Sequence, residues 1–328
     1  MDLSDCTLCP RNCHADRMAK EGADALEAGD GMAHIVRMRG YCGQGSEIKA
    51  ARASLHKWEE PCISGQTGSG TVFFSGCNMR CVFCQNHRIS RGENGKIISV
   101  GRLAEIFLEL QEKQACNINL VTPTHFVPQI IRALETAKKD GLTIPVVYNT
   151  GSYEKVETLE MLEGLVDIYL PDLKYYSPVL SGKYSGAEDY FRYASAAIAE
   201  MVRQTGKPVF EPPGTAAAGG EEDALMVKGV IVRHLLLPDA AEDSKAVLRY
   251  LYHTYKDDIY VSIMNQYTPI PRFLDIKRYP ELNRTVTARE YDDVVDYAIG
   301  LGIENGFIQE GETCSESFIP EFDGSGIG

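Results

Sequence analysis

Two features are scarce in this sequence, and each scarcity excludes a class of protein. No apolar run approaches the roughly 20 residues that a membrane-spanning helix needs, and the first six residues lack the basic and apolar character of a signal segment. Positive charge is also scarce, because 33 Lys and Arg stand against 46 Asp and Glu, for a net charge of −13. Nucleic-acid backbones are usually bound by basic surfaces, so a nucleic-acid partner is not expected. We expect a cytoplasmic protein that has no membrane contact.

The remaining composition is ordinary for a globular protein. Of the 328 residues, 44% are hydrophobic and 24% are charged, which suffices to bury the core of one large domain with small appendages. Ten cysteines occur in a chain in which no export signal is recognised. Because a reducing cytosol disfavours disulfides, these cysteines are expected to be metal ligands or reactive thiols.

From residue 71 onward, apolar runs of strand length alternate with amphipathic helical patterns. Between the runs, apolar residues recur at i, i+3, i+4 and i+7, as they do from Leu103 to Leu110. Continuous apolar strands separated by such helices predict parallel pairing with the helices outside. The predicted fold class is therefore α/β, a partial, open (β/α)6 TIM-like barrel. Its six strands are predicted at Thr71–Gly76, Asn117–Pro123, Pro145–Thr150, Asp167–Leu173, Gly229–Pro238 and Tyr260–Tyr267.

Three regions are predicted along the chain. Residues 1–64 do not fit the repeat and form a Cys-rich N-terminal extension, residues 65–285 form the barrel, and residues 286–328 form a C-terminal helix and tail. The last helix is predicted to start at Thr287, because Glu290 completes a T-x-x-E capping box. Flexible or low-complexity segments are predicted at Ala19–Gly31, at 212–222 and from Ser315 onward.

Three cysteines on one short loop carry most of the chemical information. Cys77, Cys81 and Cys84 follow the first predicted strand with the spacing C-x3-C-x2-C, and no fourth cysteine stands at a matching interval. Three thiolates leave one iron of a 4Fe–4S cluster without a protein ligand, so that this iron is open to a substrate or cofactor. The loop also lies at the carboxyl end of its strand, where α/β barrels place their chemistry. The alternative is a zinc site with a distant fourth ligand such as His87 or Cys62.

The run Cys77-x3-Cys81-x-Phe83-Cys84 resembles the signature of the radical S-adenosylmethionine (radical SAM) enzymes. Its wider context, Val72–Asn86, is similar to the pyruvate formate-lyase activating enzymes. The resemblance covers roughly residues 1–310 and implies the partial barrel of the radical SAM type, a 4Fe–4S cluster on the three cysteines, and S-adenosylmethionine as cofactor. Further segments resemble the functionally uncharacterised iron–sulfur homologues of those enzymes, namely Trp58–Gly65, Asn119–His125 and Tyr169–Tyr175.

The resemblance also implies roles for five cofactor-binding side chains. Phe83 is implied to pack near the adenine, and Asn149 to contact the nucleoside. Asp172 and Lys174 lie two apart on one strand and so share a face; the family uses this D-L-K strand for the methionyl end of the cofactor. Arg233 is a lone cation in a strand fit for burial, which requires an anionic partner. The family directs an arginine here toward the cofactor carboxylate, whereas pairing with Asp172 or a glutamate is the alternative.

One turn departs from the family pattern. The activating enzymes carry a Gly-Gly-Glu turn after the second strand, and this chain has Thr122-Pro123-Thr124-His125 there. Threonine hydroxyls and backbone carbonyls can accept the same hydrogen bonds, but the turn itself supplies no negative charge. His125 is interpreted either as a base at the ligand site or as a residue at a helix N-terminus.

A second set of cysteines lies in the N-terminal extension. Cys6, Cys9 and Cys13 are closely spaced, and Cys42 follows in a Gly-Tyr-Cys-Gly turn. Four thiolates complete the shell of a structural zinc ion or of an auxiliary iron–sulfur cluster, and the spacing does not choose between them. Free thiols are the alternative. The cysteines interpreted as inert are the isolated ones, Cys62, Cys116 and Cys314.

The expected function follows from the resemblance. A reduced 4Fe–4S cluster would cleave S-adenosylmethionine to a 5′-deoxyadenosyl radical, which abstracts a hydrogen atom from a substrate; the implied electron donor is a flavodoxin or a ferredoxin. Similarity to the activating enzymes suggests a glycine of a partner enzyme as that substrate, and a small molecule or peptide is the alternative. A non-catalytic iron–sulfur scaffold is a further alternative, and a nucleic-acid-modifying enzyme is disfavoured by the charge of −13.

Overall fold

The computed structural model describes residues 2–19, 39–92, 94–211, 224–270, 274–309 and 320–328. The predicted excursion Ala19–Gly31 lies outside the described residues apart from Ala19, and so do the whole of the 212–222 loop and the first part of the tail from Ser315. None of the described helices is long and apolar enough to cross a membrane.

The described residues form ten strands in one open sheet. The spatial order is β10-β9-β8-β6-β5-β4-β2-β1-β3, and β7 pairs with β8 beside this path. Neighbours from β2 through β4, β5, β6, β8 and β9 to β10 are parallel, which confirms the predicted open, parallel α/β architecture. The strands are β1 (Ile48–His56), β2 (Ser69–Phe74), β3 (Lys96–Ile98), β4 (Ile118–Val121), β5 (Val146–Thr150), β6 (Ile168–Pro171), β7 (Val209–Phe210), β8 (Met226–Leu235), β9 (Tyr260–Met264) and β10 (Gly306–Ile308).

Nine α-helices connect or flank these strands within the described ranges. The last of them begins after Thr287, and Thr287 and Glu290 form the reciprocal bonds of the predicted capping box. The helices are α1 (Pro61–Ser64), α2 (His87–Ser90), α3 (Val100–Glu112), α4 (Val127–Lys139), α5 (Val156–Glu160), α6 (Pro178–Ser185), α7 (Tyr190–Thr205), α8 (Ala241–Tyr255) and α9 (Ala288–Leu301).

Alternate residues of the parallel strands face opposite sides of the sheet, as the period of two requires. One set packs against the outer helices in the main core; it includes Val72, Leu120, Val146, Tyr148, Tyr169, Val230 and Val232. The other set faces the concave interior, and its lower members form a separate apolar cluster with the short helix α1. The members of that cluster are Cys62, Ile63, Val147, Ile168, Leu170, Met226 and Ile231.

Helix α1 closes the interior at the amino-terminal ends of the strands. The side chain of Asn117, just before β4, donates from Nδ2 to the carbonyl of Ile63 at 2.7 Å. The thiol of the neighbouring Cys116 donates to the carbonyl of Ser64 at 3.2 Å. Ile63 is completely buried, which contributes about 2 kcal/mol to stability. The barrel therefore has a filled floor, and its polar interior lies above this floor.

The N-terminal extension and the C-terminal tail both add to the sheet at its β2 side. Strand β1 comes from the N-terminal extension and pairs antiparallel with β2, and β3 pairs antiparallel with β1; neither strand was predicted. Residues 320–328 also pack onto β1, where Ala53 N donates to the carbonyl of Ser325 at 2.9 Å and Ile327 is fully buried. This last stretch is therefore packed, contrary to the prediction of a frayed tail.

Candidate active site

A cavity of about 540 Å³ lies at the carboxyl ends of the parallel strands. Its size is within the range of pockets that hold small-molecule cofactors. It brings together side chains from the loop after β2 and from the ends of β5, β6 and β8. All residues predicted for the cluster and the cofactor line it, namely Cys77, Cys81, Phe83, Cys84, Asn149, Asp172, Lys174 and Arg233.

The cysteine loop leaves β2 through a glycine that no other residue could replace without rearrangement. Gly76 has φ +90°, and a Cβ atom there would lie 2.8 Å from the carbonyl oxygen of Cys42 and 2.5 Å from the Gln44 side chain. Backbone from the N-terminal extension thus packs directly under the start of the loop. A positive φ with so little space favours glycine on both counts.

Hydrogen bonds to sulfur already fix two of the three thiols. Met79 N donates to Cys77 Sγ at 3.3 Å, and the hydroxyl of Ser185 donates to Cys81 Sγ at 3.0 Å. Burial, with the neighbouring Cys77 and Cys81 thiols, raises the pKa of Cys84 to about 12. The chemistry of three soft sulfur donors beside a cavity fits a 4Fe–4S cluster with one open iron.

The thiols have not been drawn together around a single point. Across the described ranges, no three His, Cys, Asp or Glu side chains are already arranged as a metal-holding group. The fit of the cluster therefore depends on the type of donor, the shared loop and the adjoining cavity.

Asp172, Lys174 and Arg233 form one ion network on the cavity wall. Arg233 Nε donates to Asp172 Oδ1 at 2.8 Å, and Lys174 Nζ donates to Asp172 Oδ2 at 2.5 Å. The other two guanidinium nitrogens of Arg233 bond Glu59 Oε2 at 3.0 Å and Asn149 Oδ1 at 2.7 Å. Arg233 thus makes contact with both a glutamate and Asp172, the alternative that sequence reasoning left open.

Electrostatics keeps this network charged although it is largely buried. Burial would raise the pKa of Asp172, but Arg233 and Lys174 outweigh it and hold that pKa below its usual value. Burial likewise opposes the charge of Arg233, yet Asp172 and Glu59 raise its pKa. For Glu59 the desolvation dominates, so that its pKa is raised despite contact with Arg233. Burial opposes the charge of Lys174 as well, but Asp172 raises its pKa, so that Asp172, Lys174 and Arg233 are all ionised at neutral pH.

Tyr190 fixes the backbone that carries the network. Its buried hydroxyl shares one O–H hydrogen between the carbonyls of Asp172 and Gly151, at 2.7 and 3.0 Å, and accepts from Lys174 N at 2.9 Å. Asp172 also forms an isolated parallel bridge with Arg233, just beyond the end of β6. The positions of the charged groups are thus set by backbone bonds as well as by their ion pairs.

The turn after β4 is strained and is backed by a carboxylate from another element. Thr122 has φ +57°, a conformation that is unfavourable for a β-branched residue. Thr124 and Thr150 each donate their hydroxyl to Glu154 Oε1 at 2.6 Å. Burial raises the pKa of Glu154 to about 7. An acidic side chain therefore lies behind this turn, although the turn sequence contains none.

His125 is held in the interior of the protein. Its Nε2 lies 2.7 Å from the carbonyl of Ser75, and burial lowers its pKa to about 3. The ring is therefore neutral at physiological pH, and it does not line the cavity.

Phe83 lies between the cysteines and a group of tyrosines. Its ring meets those of Tyr175, Tyr184 and Tyr267 edge-on, with centroid distances of 6.2 to 6.3 Å. Such edge-to-face contacts hold the ring in one orientation. Phe83 itself lines the cavity next to the thiols, and the three tyrosines pack against it from outside the lining.

The second cysteine set lies beneath the loop, outside the cavity lining. Cys6 and Cys42 are buried, and Cys9 and Cys13 are half-buried. Arg11, between Cys9 and Cys13, donates to the carbonyl of Asn78 in the cysteine loop at 2.8 Å. The two cysteine sets are therefore in neighbouring, hydrogen-bonded segments.

Glu59 and Glu60 line the cavity, and sequence reasoning assigned them no role. They precede helix α1, in the segment that also carries Trp58. Glu59 accepts from Asn119 as well as from Arg233, which is 174 positions away in the chain. The signal in the sequence was a pair of adjacent glutamates before the proline that begins helix α1. Because a loop has no periodicity, the sequence does not show which way these two side chains point.

One family model matches the central part of the chain. Residues 71–208 match the sequence model of the Radical SAM superfamily. The matched region includes Cys77, Cys81 and Cys84 together with Asp172 and Lys174. It does not include Arg233 or the N-terminal cysteines.

A curated relative extends beyond this region. An uncharacterized protein of Methanocaldococcus jannaschii is 26% identical over 310 residues, which are 90% of this chain and 75% of the relative.

Two solved structures are similar to this chain at low sequence identity. SuiB of Streptococcus suis, solved with bound S-adenosylmethionine, is 13% identical with a TM-score of 0.49, over 75% of this chain and 50% of SuiB. The FeFe-hydrogenase maturase HydG of Carboxydothermus hydrogenoformans is 13% identical with a TM-score of 0.42, over 75% of this chain and 58% of HydG. The chain thus spans about half the length of these structures.

Proposed function

We propose that this chain is a radical SAM oxidoreductase in which Cys77, Cys81 and Cys84 hold a 4Fe–4S cluster. The observation that carries the proposal is that these three thiols and the Asp172–Lys174–Arg233 network line one cavity. The superfamily match over residues 71–208 supports it independently. When bound, the cluster and S-adenosylmethionine supply a low-potential electron and a 5′-deoxyadenosyl radical that takes a hydrogen atom from the substrate.

The protein's first task is to bind the amino-acid end of the cofactor. Among its described partners, Lys174 Nζ has Asp172 alone, so two of its three N–H groups are available for a carboxylate. Arg233 is clamped by three partners and adds a fixed positive charge beside Lys174. Asp172 places a negative charge within reach of the ammonium group. The network thus offers both signs of charge to a zwitterion.

The second task is to exclude water from the reacting groups. Phe83 and Met79 are almost fully buried and both line the cavity. An apolar wall prevents a reactive radical from being quenched by solvent. Helix α1 closes the opposite, lower side of the interior.

The test is anaerobic reconstitution with iron and sulfide, reduction with dithionite, and addition of S-adenosylmethionine. We expect 5′-deoxyadenosine to form and the electron paramagnetic resonance spectrum of the reduced cluster to change when the cofactor is added. Both effects should vanish in Cys81→Ala and persist in Cys116→Ala, a buried thiol outside the cavity. A reduced protein that shows neither effect would contradict the proposal.

For the substrate, we propose a glycine residue of a partner protein, with a flavodoxin or ferredoxin as reductant. The support is the resemblance of Val72–Asn86 to the activating enzymes. Trp58 lines the cavity and is 64% exposed, which offers an aromatic contact at the cavity mouth to an incoming chain.

The substrate proposal can be tested with an extract from cells grown on deuterated glycine. Extract is divided by size into a protein pool and a small-molecule pool, and each is added to the reduced enzyme. Deuterium in 5′-deoxyadenosine from the protein pool supports the proposal. Transfer from the small-molecule pool alone would favour the alternative, a radical SAM enzyme of small molecules.

A further inference from the structure

We propose that Cys6, Cys9, Cys13 and Cys42 hold a second metal centre, a zinc ion or an iron–sulfur cluster with four cysteine ligands. This centre is separate from the cavity, and it does not depend on the function proposed above. It binds its metal with four thiolates and leaves no open position for a substrate.

Backbone contacts bring the segments that carry Cys6, Cys13 and Cys42 beside one another. Cys6 N donates to the carbonyl of Ala15 at 3.0 Å, which pairs the segment of Cys6 with the residues that follow Cys13. Gly40, with φ +66°, lies so close to Cys13 that a Cβ atom would be 3.2 Å from its Sγ. Two residues later the chain reaches Cys42. Segments that are 25 or more positions apart therefore meet at the thiols.

Two of the four thiols accept hydrogen bonds. Tyr41 N donates to Cys13 Sγ at 3.1 Å, and Arg17 Nη1 donates to Cys6 Sγ at 3.6 Å. Donors that point at sulfur stabilise a thiolate more than a thiol. The same kind of bond is made to Cys77 and Cys81 in the cavity loop.

The burial of Arg17 is the strongest support for a metal centre at these thiols. Its side chain is 1% exposed, and its other bonds go to the backbone carbonyls of Gln44, Gly45 and His125, at 2.7 to 3.0 Å. No carboxylate pairs with it in the part of the chain that the structure describes. A buried guanidinium without a counter-charge is costly. Four thiolates around a dication leave a net charge of about −2, which supplies this counter-charge beside Cys6.

The second centre would also support the first. Arg11 lies between Cys9 and Cys13, with its guanidinium 3.9 Å from the ring centroid of Tyr41. From there it donates to Asn78 O and to Ser185 O, both at 2.8 Å. Ser185 in turn donates to Cys81 Sγ. Metal binding at the N-terminal thiols would hold Arg11 in place and, through it, the loop of the cavity cysteines.

The decisive experiment removes the first site. The full chain with Cys77→Ala, Cys81→Ala and Cys84→Ala is purified anaerobically, and zinc, iron and sulfide are measured as isolated and after reconstitution with each metal. We expect about one zinc ion, or one set of iron with matching sulfide, per chain. Iron with sulfide identifies a cluster, and zinc alone identifies a zinc site; either supports the proposal.

Two further variants assign the metal to these residues. Adding Cys42→Ser to the triple variant should abolish the bound metal, whereas adding Cys62→Ser, a buried thiol elsewhere, should not. A folded triple variant with no metal under either condition overturns the proposal, and so does metal that survives Cys42→Ser. Should the triple variant not fold, the metal content of Cys42→Ser is compared with that of the unmodified chain, and an unchanged content overturns the proposal.

Discussion

The two cysteine sets of this protein offer the same donor atom in different surroundings. Cys77, Cys81 and Cys84 line a cavity of about 540 Å³ whose other walls carry ionised side chains. The N-terminal cysteines lie outside that cavity, beneath backbone turns, next to a buried arginine. Thiols beside open space suit a metal centre that reacts, whereas thiols enclosed by backbone suit one that supports the fold. The surroundings, more than the ligands, separate the two proposed roles.

The largest expected effect is that variants of the two cysteine sets lose different properties, product formation in one set and thermal stability in the other. Cys84→Ala should reduce 5′-deoxyadenosine formation to background while the melting temperature changes little, because a cavity thiol contributes little to packing. Cys42→Ser should instead lower the melting temperature, since loss of a structural metal removes folding free energy directly. Thermal unfolding and product assays on both variants check this. Equal loss of stability in the two variants would remove the distinction.

The charged wall of the cavity provides the next test. Asp172→Asn leaves two largely buried cations with one fewer partner, and we expect a loss of about 3 kcal/mol in the free energy of unfolding. Affinity for S-adenosylmethionine, measured by calorimetry, should fall as well. The control is Glu163→Gln, which breaks an exposed ion pair with Arg203 and should cost less than about 1 kcal/mol. A similar loss in the free energy of unfolding for both variants would show that the ion network of Asp172, Lys174 and Arg233 does not stabilise the fold more than an exposed ion pair does.

Glu154 lies behind the cavity rim, and because it is buried we expect the free energy of unfolding to depend on pH. Because burial raises its pKa from 4.5 to about 7, the folded state holds a proton that the unfolded state has lost between these values. Stability from this group is therefore greatest at low pH and falls as pH rises toward 7. Glu154→Gln removes this dependence and should gain roughly 2 kcal/mol relative to the unmodified chain between pH 5 and pH 8.

Urea unfolding at several pH values measures that difference. Glu157→Gln, at an exposed position on α5, serves as the matched control. A constant difference for Glu154→Gln would contradict a raised pKa at this site.

The smallest expected effect concerns the link between the two sets. Arg11→Lys keeps the charge but loses the planar fork that bonds three carbonyls, so we expect a loss of about 1 kcal/mol in stability. The product yield per loaded cluster should fall with it. Arg192→Lys, at an exposed position over Tyr193, is the control that should have no effect. An unchanged Arg11→Lys protein would show that the two regions are independent.

The parallel strands were predictable because each is a continuous apolar run between amphipathic helices. The six predicted runs correspond to β2, β4, β5, β6, β8 and β9. Strand β10 was missed since it has three residues and only a partly buried Phe307. Strand β1 was missed because its pattern is interrupted by a bulge between Ala50 and Arg52, and its register depends on β2.

The site was predictable where residues carry a local signal. The spacing of the cysteines and the two-residue spacing of Asp172 and Lys174 are properties of a single segment. The contacts of Glu59 with Arg233 and of Glu154 with Thr124 join distant segments, and nothing local to either residue indicates them. Glu154, which accepts from Thr124 of the turn, comes from the loop after β5 and gives the turn itself no sequence signal.

Helix α1 gives the barrel the form of a cup. Since the lower interior is filled by Ile63 and its neighbours, molecules reach the cysteines from the rim side alone in the described part of the chain. Ligands enter and leave a cavity with one opening in sequence. The proposed cofactor, bound beside Lys174, would have to enter before a bulky substrate and leave after its product. Steady-state kinetics would then show compulsory-order binding, with the spent nucleoside trapped until the larger product departs.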